Sequence, residues 1–474
     1  MTETEPYTRL NPDKRLSLII KRRLSNDSLL ILLKVLTYRI FIAKINRGDE
    51  MEKDLYKTSR LMYIIEAGLE YLISILFADA FLATLTSSLG MKDSLTGIIS
   101  SFISLGCVFQ LIAMFLSKGS AKKTVITLSI LNQILFMFLY VIPLAGGTER
   151  FKIVIFVVCI LLAYFVYNIA HPKKINWLMS LVNDGSRGRF TATKEIISLI
   201  SGMIFSFVMG SIIDSYKEEG NTRGAFIICA IVVFVLMIMH TVTMLLTKEK
   251  PIEHVLEEKH QLWSVLKDKN LIKVALVFLI WYIATYSANP FYGTYQTKEL
   301  GFSLTFVSIL SIVSAVARVG ASILLGVYAD KRSFAKMIRI CFGIAALAFL
   351  CNVFCVPSNG KIMFTAYRIL YSIAMGGINS ALINLCYDYV STEKRVHALA
   401  LTQALAGLAG FLSTLASSLI VDKIQTNGNK IFGISAYAQQ FMSLVAFLLT
   451  VIVIVYVSIA LVKKGRVVKK SFAD

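Results

Sequence analysis

The chain has 474 residues, 56% of them hydrophobic and 16% charged, with 49 Lys and Arg against 29 Asp and Glu for a net charge of +20. A soluble protein of that length, about three domains at ~150 residues each, could not build its surface from so few charges. The composition is that of an all-α polytopic membrane protein, in which a basic excess orients loops and is not a nucleic-acid footprint.

The first 60 residues are polar and basic. Within them Leu29 to Ile42 is apolar, but it is too short to span and is interrupted by Lys34 and Arg39. Two readings stay open: a basic amphipathic helix on an anionic membrane surface, or a translation start at Met51, whose M-E-K-D-L-Y-K leads directly into the first apolar run. No signal-peptide pattern precedes it.

Twelve apolar runs follow, each near the ~20 residues a helix needs to cross a bilayer. They lie near 61–89, 95–117, 124–145, 153–182, 195–213 and 224–247, then 271–297, 304–328, 334–356, 361–386, 396–421 and 436–462. The polar stretch 248–270 divides the runs into six and six, giving an N-terminal bundle 61–247, a central loop, a C-terminal bundle 271–462 and a basic tail 463–474. With an even number of spans both termini share a side. The segments on that side carry 35 Lys and Arg, the opposite loops 9, so both termini are expected in the cytoplasm of a cell-membrane protein. The seven cysteines, Cys107, Cys159, Cys229, Cys341, Cys351, Cys355 and Cys386, all fall in apolar runs and read as packing residues.

The halves repeat each other. Arg187, Gly202 and Asp214 recur as Arg395, Gly410 and Asp422 at an offset of 208, which also pairs His171 with Asn379 and Asn176 with Asn384. A second register aligns A-M-F-L-S-K-G-S-A-K-K, from Ala113, with G-V-Y-A-D-K-R-S-F-A-K, from Gly326. Internal duplication of this kind marks transporters.

G-V-Y-A-D-K-R-S-F-A-K resembles the loop signature of the major facilitator superfamily, Gly-x-x-x-Asp-Arg/Lys-x-Gly-x-Arg/Lys, through Gly326, Asp330 and Lys331. Ser333 stands where the family has glycine, and Lys336 comes one place late. The resemblance, of bacterial type and marking no subfamily, covers the whole membrane portion. It implies two pseudo-symmetric six-helix bundles, a cavity lined by spans one, four, seven and ten, and a cytoplasmic gate in which Asp330 meets Arg395. The first-half copy has Ser117 at the acidic position and Ala113 at the first glycine, so a matching gate there is not expected.

Charges inside spans cost roughly 2.5 to 3.5 kcal/mol each on insertion scales and call for partners or a function. Glu66 and Glu70 share a face of span one and can bind a proton, or pair with a basic neighbour. Asp79, nearly opposite them and close to the outer end, reads as structural or interfacial. Span four carries His171, Pro172, Lys173 and Lys174, with Pro172 expected to loosen the helix. His171 can titrate. Lys173, Lys174, Arg318 and Arg368 are basic groups at cavity depth that suit an anion, pairing of the lysines with Glu66 or Glu70 being the alternative. Tyr282, Tyr286 and Asn289 share a face of span seven, and Asn379 adds a hydrogen-bonding group, as do Gln110, Asn384 and Gln403 unless these join helix to helix.

The function expected from these features is secondary transport of a small polar, anionic organic solute by alternating access, with proton coupling through Glu66, Glu70 or His171. The partners are that solute, the bilayer and protons, with no nucleic acid, no metal and no cofactor, and the carrier is a monomer. No nucleotide phosphate loop and no catalytic constellation is present, so an enzyme or ATP-driven pump is not expected. A multidrug/proton antiporter remains an alternative within transport, and a non-transporting receptor one outside it.

Overall fold

A polypeptide in hydrocarbon must satisfy its backbone internally, and each apolar run answers by closing into helix. The computed structural model describes residues 55–113, 120–182, 187–250, 269–389, 395–431 and 433–462. Leu29 to Ile42, Met51, Ser117, most of the central loop and the basic tail lie outside the described residues. Fourteen helices of eight or more residues are labelled here. They are α1 (Lys57–Ile75), α2 (Asp79–Ser88), α3 (Asp93–Ser100), α4 (Phe102–Ala113), α5 (Ala121–Val141), α6 (Glu149–Ser180), α7 (Arg187–Glu218) and α8 (Thr222–Leu246). After the loop come α9 (Lys269–Ala288), α10 (Leu304–Lys331), α11 (Phe334–Val353), α12 (Gly360–Tyr389), α13 (Arg395–Thr426) and α14 (Ala438–Val457).

Among the described residues, ten helical spans are long and apolar enough to cross a membrane, or eleven when the bent pair α1 and α2 counts as one. The run expected at 95–117 is formed by α3 and α4, two shorter helices broken at Ser101, and its far end lies outside the described residues. The outward faces are greasy. Ile196, Ile200 and Ile204 on α7, and Val154, Val158 and Leu162 on α6, recur at four-residue intervals and are all exposed. A soluble helix places polar residues there, so these stripes belong against lipid tails.

Side-chain caps mark several helix starts. Ser120 accepts from the Lys123 amide, Asn221 from Gly224, Ser303 from Phe306 and Ser333 from Lys336. Glu249, just past α8, accepts from the Ser120 hydroxyl at 2.7 Å and the Lys122 amide at 3.1 Å, tying that end of α8 to the start of α5. Partial burial works against its charge, but these bonds prevail and hold its carboxyl below the usual range. Pro172, expected to loosen its helix, does not end it: α6 runs through it to Ser180.

Two spans do break. Between α1 and α2 the axis turns by 44°, and Asp79 takes a left-handed φ of 47°. After α9, Pro290 removes an amide donor and the chain passes through a 3-10 turn at Asn289–Phe291 and a π turn at Tyr295–Glu299. The two breaks touch. A Cβ on Gly293 would lie 2.6 Å from the Asp79 carbonyl oxygen, so only glycine permits this approach. Elsewhere α5 packs on α6 and α8, α11 on α12 and α14, and α9 on α13 and α14, while α4 lies against α13 and α7 against α10.

Candidate functional site

Among the described residues, three gatherings of polar side chains bear on function. The first is wholly interior, between α1, α5, α6 and α8. The i, i+4 spacing presents Glu66 and Glu70 from one face of α1, and the Lys174 ammonium from α6 reaches both, donating to Glu66 Oε1 at 3.0 Å and also to Glu70 Oε2. His240 of α8 meets the same Glu66 oxygen through Nε2 at 3.0 Å and stands 3.6 Å from Glu70 Oε2. Its Nδ1 faces the Gln133 amide nitrogen of α5 at 2.9 Å. Glu66 is 1% exposed and His240 fully buried, whereas Glu70 borders a cavity of about 10 Å³, room for one water, that Tyr167 and His171 also line. Two carboxylates and an imidazole this close can ligate a metal ion, their ligand atoms lying within 4.8 Å. The Lys174 ammonium already bonds both carboxylates, however, and an ion there would have to displace it.

The second place is a cavity of about 370 Å³ where the breaks in the two bent spans meet α3, α4 and α12. It is large enough for a small organic solute. Tyr282, Tyr286, Asn289, Arg368 and Asn379 line it, joined by Asp79, Trp281, Tyr367 and Tyr371. Asn289 is held at both ends of its amide, donating to the Tyr371 hydroxyl at 2.8 Å and accepting from Tyr367 at 2.9 Å. Tyr282 stacks on Tyr286 and Tyr367 on Tyr371, at 5.7 and 5.5 Å between centroids. Arg368 is balanced by Asp79, with Nη1 3.3 Å from Oδ2, and donates from Nη2 to Ser311. Gln296 donates to the other Asp79 oxygen at 3.0 Å. Arg318 of α10 is not among the lining residues, but it is within electrostatic reach of Tyr71 and of Tyr371 in the cavity wall, and it is exposed with no ion pair among the described residues.

The third place is the end of the bundle opposite the start of α1. Asp93 at the head of α3 accepts from Lys298 at 2.6 Å and from Gln425 at 2.8 Å, and Lys92 pairs with Asp422 at 2.8 Å. Asp214 caps the N-terminus of α10, accepting from the Leu304 amide at 3.0 Å, the Thr305 amide at 2.7 Å and the Thr305 hydroxyl at 2.6 Å. These bonds close that end by joining α3 and α7 to α10, α13 and the turn after α9. Replacing Asp93 by Asn together with Asp214 by Ala is expected to loosen the closure. The check is the reaction of a Ser100→Cys substitution, inside the cavity, with an impermeant thiol reagent added on that side. Faster labelling is the expected result, and an unchanged rate removes these bonds from the closure.

Of the site residues expected from sequence, Glu66, Glu70 and Lys174 come together in the interior cluster with His171 beside them, and Tyr282, Tyr286, Asn289, Arg368 and Asn379 line the large cavity. Lys173 is half-buried with no ion pair among the described residues, and Gly326 and Lys331 sit on α10 with open space around the glycine. The side chains of Asp330 and Arg395, and of Gln110, lie outside the described residues. Sequence reasoning passed over His240, Gln133, Asp93, Tyr367 and Tyr371. For His240 and Gln133 a signal existed: each is a polar residue within an apolar run, where an unpartnered polar group is costly.

A sequence profile described as the Major Facilitator Superfamily matches residues 62–414. Monocarboxylate transporter 6 of Homo sapiens is 26% identical over 177 residues, 37% of this chain, and the match spans only 31% of that relative's length. Among solved structures, the nucleoside transporter NupG superposes with a TM-score of 0.64 at 14% identity, covering 84% of this chain and 98% of that one. A POT family peptide transporter gives 0.65 at 12% identity over 88% and 99%, and a D-xylose-proton symporter 0.63 at 13% over 85% and 97%. At these identities the structural likeness is one of fold.

Proposed function

We propose, from the premise that the chain belongs to the Major Facilitator Superfamily, that it is a secondary carrier of a small organic anion, driven by alternating access and coupled to protons. In this reading α1 with α2, and α3 with α4, each make one span, completing twelve spans in two six-helix halves, 61–247 and 271–462. The repeated glycines support that duplication. A Cβ on Gly202 would strike the Tyr71 ring at 2.3 Å, and one on Gly410 would strike Tyr286 at 2.9 Å, so corresponding helices approach in corresponding ways.

The observation that carries the anion reading is the charge balance at cavity depth. Lys174 is satisfied by Glu66 and Glu70, and Arg368 by Asp79, which leaves Lys173 and Arg318, the latter within electrostatic reach of Tyr371 in the cavity wall, with no counter-ion among the described residues. A guanidinium at membrane depth needs an anion, and its planar donor fork fits a carboxylate. The relative named for monocarboxylates carries substrates of that charge class. Arg318 then takes the anionic group, with Lys173 adding positive potential, while Tyr282, Tyr286, Asn289, Arg368 and Asn379 hold the body of the solute. Lys174 serves the interior cluster, where Glu66 and Glu70, with His171 at its edge, handle protons. Asp330 closes the cytoplasmic side on Arg395, supported by Gly326 and Lys331, when the outer bonds of Asp93 and Asp214 open. The carrier works as a monomer in the plasma membrane and performs no catalysis. The tyrosine and tryptophan walls also suit apolar compounds, which keeps drug export as the second reading.

Uptake of labelled organic acids, sugars and amino acids into proteoliposomes, with and without a pH gradient, tests the reading. An acid should be concentrated when the outside is acidic; accumulation of neutral solutes alone would reject it. Orientation is tested separately. Cysteine at Lys250 should react from the cytoplasmic side and cysteine at Asn429 from the outside, and same-side labelling would overturn the topology.

A further inference from the structure

The interior cluster contains a titratable group that the proton-coupled reading does not use. Glu66 and Glu70 contribute two negative charges and Lys174 one positive charge, so with a neutral His240 the cluster carries a net −1. A net charge in so dry a place is costly, and a single added proton cancels it. The groups facing His240 are Glu66 and Glu70 on α1, Gln133 on α5 and Lys174 on α6, with Tyr167 and His171 lining the adjoining cavity. Lys194 of α7 lies further out, 5.1 Å over the ring of Tyr63.

We infer that His240, clamped between Glu66 and Gln133, is the seat of one exchangeable proton. Two features of the geometry support this. The Gln133 amide can serve both charge states without displacing its neighbours. With its nitrogen toward Nδ1, as in the structure, it donates to a neutral imidazole whose Nε2–H donates to Glu66. Turned over, it presents Oε1, a buried atom with no partner at present, to accept an Nδ1–H from the imidazolium. In addition, Glu66 Oε2 is buried without a partner, so the pair has unused acceptor capacity facing the cluster. The one-water cavity, bordered by Gln133 and Glu70, is the place from which a proton arrives. The step is balanced: a hydronium proton bonds to Nδ1, water is left behind, the imidazole becomes imidazolium and the cluster goes from −1 to zero.

This deepens the proton-coupled reading and rests on it only for the use made of the proton; the site itself is tested without substrate or gradient. The experiment is pH-difference infrared spectroscopy on the full chain in lipid nanodiscs, with ring-15N histidine, compared between acidic and alkaline buffer. An isotope-sensitive imidazole component is expected that is lost in His240→Gln and retained in His171→Gln. Its midpoint should move by about one pH unit or more in Glu66→Gln, as removal of a neighbouring charge does. Survival of the component in His240→Gln, or its loss in His171→Gln, would overturn the assignment. Should His240→Gln fail to fold, Gln133→Leu keeps the histidine and removes the acceptor for Nδ1–H, so it must suppress the component, and an unchanged component there refutes the inference. Loss of transport with an intact titration would count against the carrier reading and leave the site standing.

Discussion

Lys174→Ala is expected to destabilise the protein more than any other single substitution in the bundle, by roughly 3 to 5 kcal/mol, the range seen when one partner of a buried ion pair is removed. The side chain of Lys174 is 8% exposed and bonds two carboxylates from α1, one of them 1% exposed. Without it Glu66 and Glu70 face each other with only His240 to share, and one must take up a proton or find water. Thermal unfolding in detergent checks this, with two controls. Adding Glu70→Gln to Lys174→Ala removes one of the stranded charges and should recover part of the loss, a coupling that a double-mutant cycle isolates. Lys173→Ala, one residue away with no ion pair among the described residues, should stay within about 0.5 kcal/mol of the parent. Equal losses at Lys173 and Lys174 would mean that the cluster does not hold the four helices together.

Arg318→Ala should leave folding nearly intact and remove function. The side chain is exposed and has no ion pair among the described residues, so stability has little to lose. Transport of an anion has more to lose, because a charge-assisted bond to a carboxylate contributes about 1.5 to 3 kcal/mol, or roughly 10- to 100-fold in kcat/KM. Arg318→Lys keeps the charge and gives up the fork, and should fall between the two. Initial uptake rates in proteoliposomes over a range of substrate concentrations check the order. An alanine variant with parental kinetics would remove Arg318 from the binding site.

The helical spans were legible because the bilayer forces an almost continuous apolar run for each one, and the runs survive any rearrangement of partners. Breaks were harder to read. Asp79, nine residues beyond Glu70, falls nearly on the opposite face when the helical wheel of span one is continued. The wheel does not continue, because the axis turns by 44° at Asp79 and delivers the carboxylate into the cavity beside Arg368. Of the four basic groups at cavity depth read from sequence, Lys174 and Arg368 are therefore already matched. Which of two adjacent lysines turns inward depends on the rotation of α6 against α1, and that is set by packing between distant segments. His240 shows the same limit: its apolar neighbours Val235 to Met239 mark a membrane-spanning helix, but the carboxylate that it meets is 174 residues away. The pairing of Asp330 with Arg395 rests on the loop motif and the family resemblance, since both side chains lie outside the described residues.

Selection of a negative charge at Arg318 is tested by comparing a transported carboxylic acid with its primary carboxamide, a near-isostere without the charge. Uptake of both is measured in the same proteoliposomes bearing the parent protein or Arg318→Ala. The parent is expected to take up the acid at least about 10-fold faster than the amide, and Arg318→Ala is expected to abolish this preference. Equal uptake of acid and amide by the parent, or a preference that persists in Arg318→Ala, would contradict selection at Arg318.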